Sequence, residues 1–136
     1  MKILLDTQCW LWSVREPERL NRRAQELIND NAHQFFLSVA SLWEITIKYQ
    51  TGKLPLPKPP EDYVPELLQL QQINTLPLTP AHAYRTRLLP LLHRDPFDRL
   101  LIAQTLTEGF TLMTADHLVR QYKLPLIWAA RRNAKS

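Results

Sequence analysis

One cysteine, Cys9, stands in a chain of 136 residues. A single thiol excludes an internal disulfide and a cysteine-rich zinc site, and it fits a reducing cytoplasm. No long hydrophobic run is present. The opening stretch Met1-Lys2-Ile3-Leu4-Leu5-Asp6 is apolar only at Ile3-Leu4-Leu5 between charges, too short for a signal-peptide core or a membrane span. The sequence therefore predicts a chain without a membrane segment. It holds no internal repeat and no low-complexity tract. Glycine is confined to Gly52 and Gly109, which together with 11 prolines punctuate the chain.

Hydrophobic residues make up 45% and charged residues 22%, the balance of an ordinary globular protein. The length suits one domain, residues 1–136, with a core of its own. Net charge is +4, and arginine outnumbers lysine. Arginine suits planar, two-pronged recognition of phosphate. A modest positive balance selects no partner by itself, so the question becomes whether acids cluster within this basic background.

Ile3-Leu4-Leu5 reads as a short buried strand ended by Asp6-Thr7. Leu20 to Asn31 reads as a helix with Leu20, Ala24, Leu27 and Ile28 on one face. Phe35-Phe36-Leu37 is a second strand. Ser38 then caps a helix running to about Gln50, closed by Gly52. The proline-rich stretch Leu54 to Pro60 is an extended loop, and Glu61 to Gln71 is helical. Ile73 to Leu78 is a third strand. Thr79-Pro80 opens a helix that stops near Pro90, and Asp95-Pro96 opens another that Gly109 closes after Glu108. Phe110 to Thr114 is a fourth strand. Asp116 caps a short helix to about Tyr122, and Leu126-Ile127-Trp128 is a fifth strand. The tail, residues 131–136, is basic and expected to fray.

Strands that are continuously apolar and alternate with helices predict an α/β fold, a parallel sheet covered on both faces. Ligands of such sheets bind outside the carboxyl ends of the strands. Asp6 follows the first strand directly, and Asp116 follows the fourth by two residues. Asp98 shares a helix face with Leu101, Ile102 and Thr105, which makes it the polar end of a buried stripe. Glu44 lies in the helix containing Ala40, Leu42, Trp43, Ile45 and Ile47, apolar on nearly every side. A carboxylate there needs a partner or must become neutral.

Each acid also has a structural use. Asp6 and Asp116 can cap helices, Asp98 complements a helix dipole, and Glu44 can pair with Lys48. Asp95, directly before Pro96, reads as an N-cap and is left out of the site. Convergence of four acids on one sheet edge favours a site for a divalent cation. Ligands that are all oxygen suit Mg²⁺ or Mn²⁺. Lys48, Lys53, Arg94 and Arg99 are close in sequence to the acids. Of these, Lys48, Arg94 and Arg99 are the candidates for holding a nucleic-acid backbone. Trp10, Trp12 and Trp43 could stack on bases, but their helical spacing suits core or a dimer interface better. His117, beside Asp116, reads as a surface or core residue rather than a substrate contact.

Asp6 after its strand, Glu44 in Ser-Val-Ala-Ser-Leu-Trp-Glu-Ile, Asp98 in His-Arg-Asp-Pro-Phe-Asp-Arg-Leu-Leu-Ile-Ala-Gln and Asp116 in Leu-Met-Thr-Ala-Asp resemble a PIN domain. More narrowly, the chain resembles the VapC ribonuclease toxins of type II toxin–antitoxin systems. The likeness runs along the whole chain, and His93 to Gln104 is its most specific piece. It implies a three-layer α/β/α fold with a central parallel sheet of order 3-2-1-4-5. It implies Mg²⁺, with Mn²⁺ able to substitute, held by Asp6, Glu44, Asp98 and Asp116. Thr7 and Thr114 would support the site through hydrogen bonds to its carboxylates or waters. It implies cleavage of RNA by metal-activated water, leaving 5′-phosphate and 3′-hydroxyl ends. It also implies a homodimer and a cognate antitoxin protein as partners, all in the cytoplasm.

Other readings fit less well. A phosphotransfer enzyme using Asp6 as nucleophile, of the haloacid-dehalogenase kind, wants an acid two residues on, where Gln8 stands. A receiver domain wants its acid after the third strand, where Thr79-Pro80 stands. A non-catalytic nucleic-acid-binding or protein-interaction module using the basic surface leaves four converging acids without a reason. Loss of cleavage with retained RNA binding in an acid-to-alanine variant separates it from a nuclease.

Overall fold

The computed structural model describes residues 1–132. Five strands form one sheet: β1 (Lys2–Leu5), β2 (Gln34–Ser38), β3 (Asn74–Leu76), β4 (Thr111–Thr114) and β5 (Leu126–Trp128). All four pairings are parallel, and the order is β3-β2-β1-β4-β5. The helices are α1 (Thr7–Arg15), α2 (Arg22–Ile28), α3 (Val39–Gln50), α4 (Pro60–Gln71), α5 (Pro80–Arg85) and α6 (Pro96–Glu108).

Alternation along each strand sends side chains to opposite faces. Ile3, Leu5, Phe35, Leu37, Met113 and Ile127 join a core with Cys9, Trp10, Ala24, Ile45, Val64 and Leu68 from α1 to α4. Leu4 and Leu112 join a second core with Leu101, Ile102, Ala103 and Val119. Helices thus cover both faces, the expected three-layer α/β/α arrangement. Both faces being buried explains why the strands read as continuous apolar runs. Among the described residues no helix is long and apolar enough to cross a membrane.

Local signals set several elements. Ser38 caps α3 by accepting from Ala40 N–H, and Asp95 caps α6 by accepting from Phe97 and Asp98 N–H. Gly109 ends α6 in the left-handed region, φ 70°. Elsewhere the bounds shift. The helix expected over 20–31 is only Arg22–Ile28, because Asn21 caps it and Leu20 forms a bridge with Ala130. The third strand shortens to Asn74–Leu76. The helix expected to reach Pro90 stops at Arg85 and tightens into a 3₁₀ turn at Thr86–Leu88. After Asp116 only a 3₁₀ turn forms, Val119–Gln121. α3 buries one face, through Ala40, Ser41, Glu44 and Ile45, while Trp43 is 58% exposed. Of the tail expected to fray, Arg131 is held: its N–H donates to Arg19 O at 3.1 Å and its side chain to Glu18 O. Residues 133–136 lie outside the described residues.

The chain leaves β1 toward β2 on one side and crosses later to β4 on the other. The switch point therefore falls between β1 and β4, where ligand crevices of open parallel sheets form.

Candidate metal and phosphate site

At that switch point lies a cavity of about 470 Å³, lined by Asp6, Glu44, Asp98 and Asp116 together with Asp95, Lys48, Thr7, Gln8, Leu11, Trp12, Arg19 and Ala115. The four acids singled out in the sequence are thus brought together.

Asp6 is the anchor. It is both the first residue after β1 and the N-cap of α1, so Oδ1 accepts from Cys9 N–H at 2.7 Å. Oδ2 accepts from the Thr114 hydroxyl and from Ala115 N–H. One side chain thus both caps α1 and lines the cavity. Burial nevertheless raises its pKa, against the lowering pull of those hydrogen bonds. Thr114 thus bridges two of the acids, donating to Asp6 while its oxygen accepts from Asp116 N–H. Thr7 does not donate to the site acids. Its hydroxyl donates to Ser41 Oγ at 2.8 Å, tying α1 to α3, the helix that carries Glu44.

Asp98 stands at the head of the buried stripe formed by Leu101, Ile102 and Thr105. Its pKa rises to about 7, first through burial, then through the negative charges of Asp95, Asp6 and Asp116; His93 pulls the other way. Asp95, placed outside the site as an N-cap, does cap α6, yet it also acts electrostatically on Asp98. Asp116 accepts from Leu118 and Val119 N–H through Oδ1, leaving Oδ2 toward the site. Glu44 is buried, and its Oε2 lies 2.9 Å from Lys48 Nζ. Its Oε1 is buried with no hydrogen-bond partner among the described residues.

His93 is the residue that sequence reading missed. Nε2 lies 2.9 Å from Asp98 Oδ2 and 3.2 Å from Asp116 Oδ2. One atom from each of the three falls within 4.8 Å of the others. The ring's other nitrogen, Nδ1, accepts from Asp95 N–H. Nε2 then carries the proton and donates to the two acids, so His93 orients carboxylates rather than offering a lone pair. Its position in the motif beside Asp95-Pro96 was the available signal, but a loop residue carries no periodicity to mark it.

The basic candidates separate. Lys48 lines the cavity and is paired with Glu44. Arg94 is exposed and lines an adjoining apolar hollow with Lys53 and Phe97. Arg99 turns inward instead: its guanidinium donates to the carbonyls of Thr86, Leu89, Pro90 and His93 and to the Tyr122 hydroxyl. Both terminal nitrogens of this candidate for holding substrate are thus turned to groups of the chain itself. Trp10 is core, fully buried. Trp43 stands edge-on to Phe97, and exposed His117 packs on Trp128.

The carboxylates form an oxygen-rich set with an orphaned oxygen and an acid whose charge is suppressed by burial and by its neighbours. A hard divalent cation fits that set.

Ribonuclease VapC22 of Mycobacterium tuberculosis is 27% identical over 124 residues, covering 90% of this chain and 93% of that protein. Ribonuclease VapC16 of the same organism is 39% identical over 75 residues, 50% of this chain and 52% of that one. Among solved structures, VapBC2 from Rickettsia felis bound to a DNA fragment from its promoter superposes with a TM-score of 0.72 at 16% identity, over 95% of this chain and 99% of that one. A toxin–antitoxin complex from Klebsiella pneumoniae gives 0.63 at 13% identity, over 93% and 96%. The family description "PIN domain" matches residues 3–124, which take in β1 with Asp6, the Glu44 helix, the Asp98 helix and the Asp116 turn, and on that span the chain belongs to the PIN-domain family.

Proposed function

We propose that this chain is a divalent-metal-dependent endoribonuclease, a VapC-type toxin that hydrolyses phosphodiester bonds in RNA. One observation carries the reading. Asp6, Glu44, Asp98 and Asp116, far apart in sequence, line one cavity at the sheet's switch point, where burial and neighbouring negative charge lift Asp98 to about 7. Mg²⁺, or Mn²⁺ in its place, is the cation that such a set suits, and these four acids would hold it. When bound, it supplies a water of lowered pKa and positive charge against the phosphate.

The chain's own groups do the rest. Thr114, Ala115 N–H and Cys9 N–H fix both oxygens of Asp6. His93 keeps Asp98 and Asp116 turned toward one another. Arg99 holds the loop that carries His93. Ribonucleases of similar sequence, and toxin–antitoxin complexes of similar fold, support RNA as substrate and an antitoxin protein as partner. A homodimer in the cytoplasm belongs to the same reading.

The test uses labelled single-stranded RNA and matched DNA in Mg²⁺, Mn²⁺ and EDTA, beside Asp6→Ala and Asp98→Asn. The expected result is RNA cleavage only with a divalent ion, abolished in both variants, leaving 5′-phosphate ends. Cleavage that survives EDTA or both substitutions would refute the carboxylate mechanism.

A further inference from the structure

The acids line part of the cavity; the rest is built differently. Arg19 lies with its guanidinium 5.0 Å from the centre of the Trp12 ring, and both residues line the same cavity as Asp6 and Asp98. A second hollow of about 320 Å³ begins at the same two residues and continues past Arg131. Trp12 and Arg19 are thus the shared wall between the acid cavity and a basic hollow.

Two cations line the acid cavity. Lys48 is held 2.9 Å from the buried carboxylate of Glu44. Arg19 has a looser contact, 3.4 Å to Glu16, with both side chains about half exposed. Such a pair is weak in water and yields readily to a phosphate. The contact with the indole restrains the guanidinium, so less side-chain freedom is lost when a ligand binds. The backbone at Arg19 is fixed as well, since its carbonyl accepts from Arg131 N–H and the neighbouring Leu20 bridges to Ala130. A cation on the wall of the same cavity as the acids meets the charge of a strand that the acids alone would repel.

Building on the ribonuclease reading above, we propose that Arg19, laid on Trp12, binds an RNA phosphate next to the one that is cut, and that the strand leaves the site across this wall toward Arg131. Arg19 is a binding residue. Trp12 positions it.

The experiment measures binding of a single-stranded RNA oligonucleotide by fluorescence anisotropy across a salt series, in an Asp98→Asn background that cannot cut. Arg19→Ala, Arg19→Lys, Trp12→Phe and Lys58→Ala are compared. Lys58 pairs with Glu66 and lies outside the cavity, so it reports the loss of one charge alone. Arg19→Ala is expected to weaken binding several-fold and to lower the salt slope by about 0.7, the contribution of one phosphate on a single strand. Arg19→Lys keeps the charge, loses the stack and falls between. Trp12→Phe keeps a ring and stays near the parent. In the cutting enzyme Arg19→Ala raises KM and spares kcat, with calorimetric Mn²⁺ affinity unchanged. Arg19→Ala matching Lys58→Ala in affinity and slope overturns the track while leaving the ribonuclease intact. A parent chain that neither binds nor cuts RNA overturns the ribonuclease reading, and the track with it.

Discussion

His93 Nε2 lies 2.9 Å from Asp98 Oδ2, and the same nitrogen reaches Asp116 Oδ2 at 3.2 Å. One N–H therefore spans two carboxylates that would otherwise repel. The histidine is itself held twice, because its backbone N–H donates to the Tyr122 hydroxyl and Nδ1 accepts from Asp95 N–H. Partners that orient metal-binding carboxylates commonly contribute about 10- to 100-fold to metal affinity. His93→Ala is expected to weaken Mn²⁺ binding within that range while leaving the far-ultraviolet circular dichroism unchanged. Unaltered calorimetric affinity would remove the orienting role.

Asp98 makes the metal-free chain sensitive to pH. Its pKa is about 7 in the folded state against an ordinary aspartate value of 3.8. Between those values the folded chain holds a proton that the unfolded chain has lost. Stability without metal therefore falls as pH rises through that window, and the proton's contribution is gone above the folded pKa. Asp6, also raised by burial, acts in the same direction. A proton on Asp98 competes with a cation, so Mg²⁺ should raise the melting temperature more at about pH 8 than at about pH 5.5. Asp98→Asn should flatten the EDTA profile and shrink the Mg²⁺ increment. A metal increment equal at both pH values would contradict this.

Glu44 and Lys48 form an ion pair on the wall of the acid cavity. Sequence spacing alone offers an ordinary i, i+4 contact, and that contact is present at 2.9 Å. Burial of Glu44 and the unpartnered Oε1 add what spacing does not show. Lys48→Met should cost about 1 kcal/mol in urea denaturation with EDTA, the modest value reflecting a lysine 43% exposed. Saturating Mg²⁺ should shrink that loss, because the cation then compensates the carboxylate. An equal loss with and without Mg²⁺ would place Glu44 outside the metal's reach.

Range along the chain decides how much of this was legible in the sequence. α6 spans Pro96–Glu108 as expected because Asp95, Pro96 and Gly109 act within a turn of its ends. Asp6 and Asp116 were legible because a parallel strand delivers the residues after it to the sheet's carboxyl edge. Leu20 reads as helical from its neighbours, yet its bridge to Ala130 spans most of the chain. Thr7 reads as a site residue beside Asp6, yet its partner Ser41 is 34 residues away. His93 is illegible as a site residue for the same reason, and Trp12, a candidate for base stacking, reads better as core or interface. A loop histidine and a half-buried tryptophan acquire their roles from neighbours that only the folded chain supplies.

Arg99 shows how adjacency in sequence can mislead. One residue from Asp98, it reads as a cation beside the site. On the helix it points elsewhere, and its guanidinium gathers four carbonyls and a phenol. Those carbonyls belong to the stretch from Thr86 to His93, which has no strand or α-helix to satisfy them. The Thr86 carbonyl would keep Leu89 N–H and the Pro90 carbonyl would keep the Tyr122 hydroxyl, so Arg99→Ala would strip the donor from Leu89 O and His93 O and should cost about 2 kcal/mol, each orphaned group contributing on the order of 1 kcal/mol. Arg99→Lys should recover little, since an ammonium cannot span the same fork of acceptors. His93 keeps its N–H bond to Tyr122 but loses the contact at its carbonyl, so Mn²⁺ affinity should fall with stability. The salt dependence of RNA binding should stay at the parent slope, because no phosphate contact is removed. A slope lowered by Arg99→Ala, with stability intact, would restore Arg99 to the RNA surface and refute its role as a clamp.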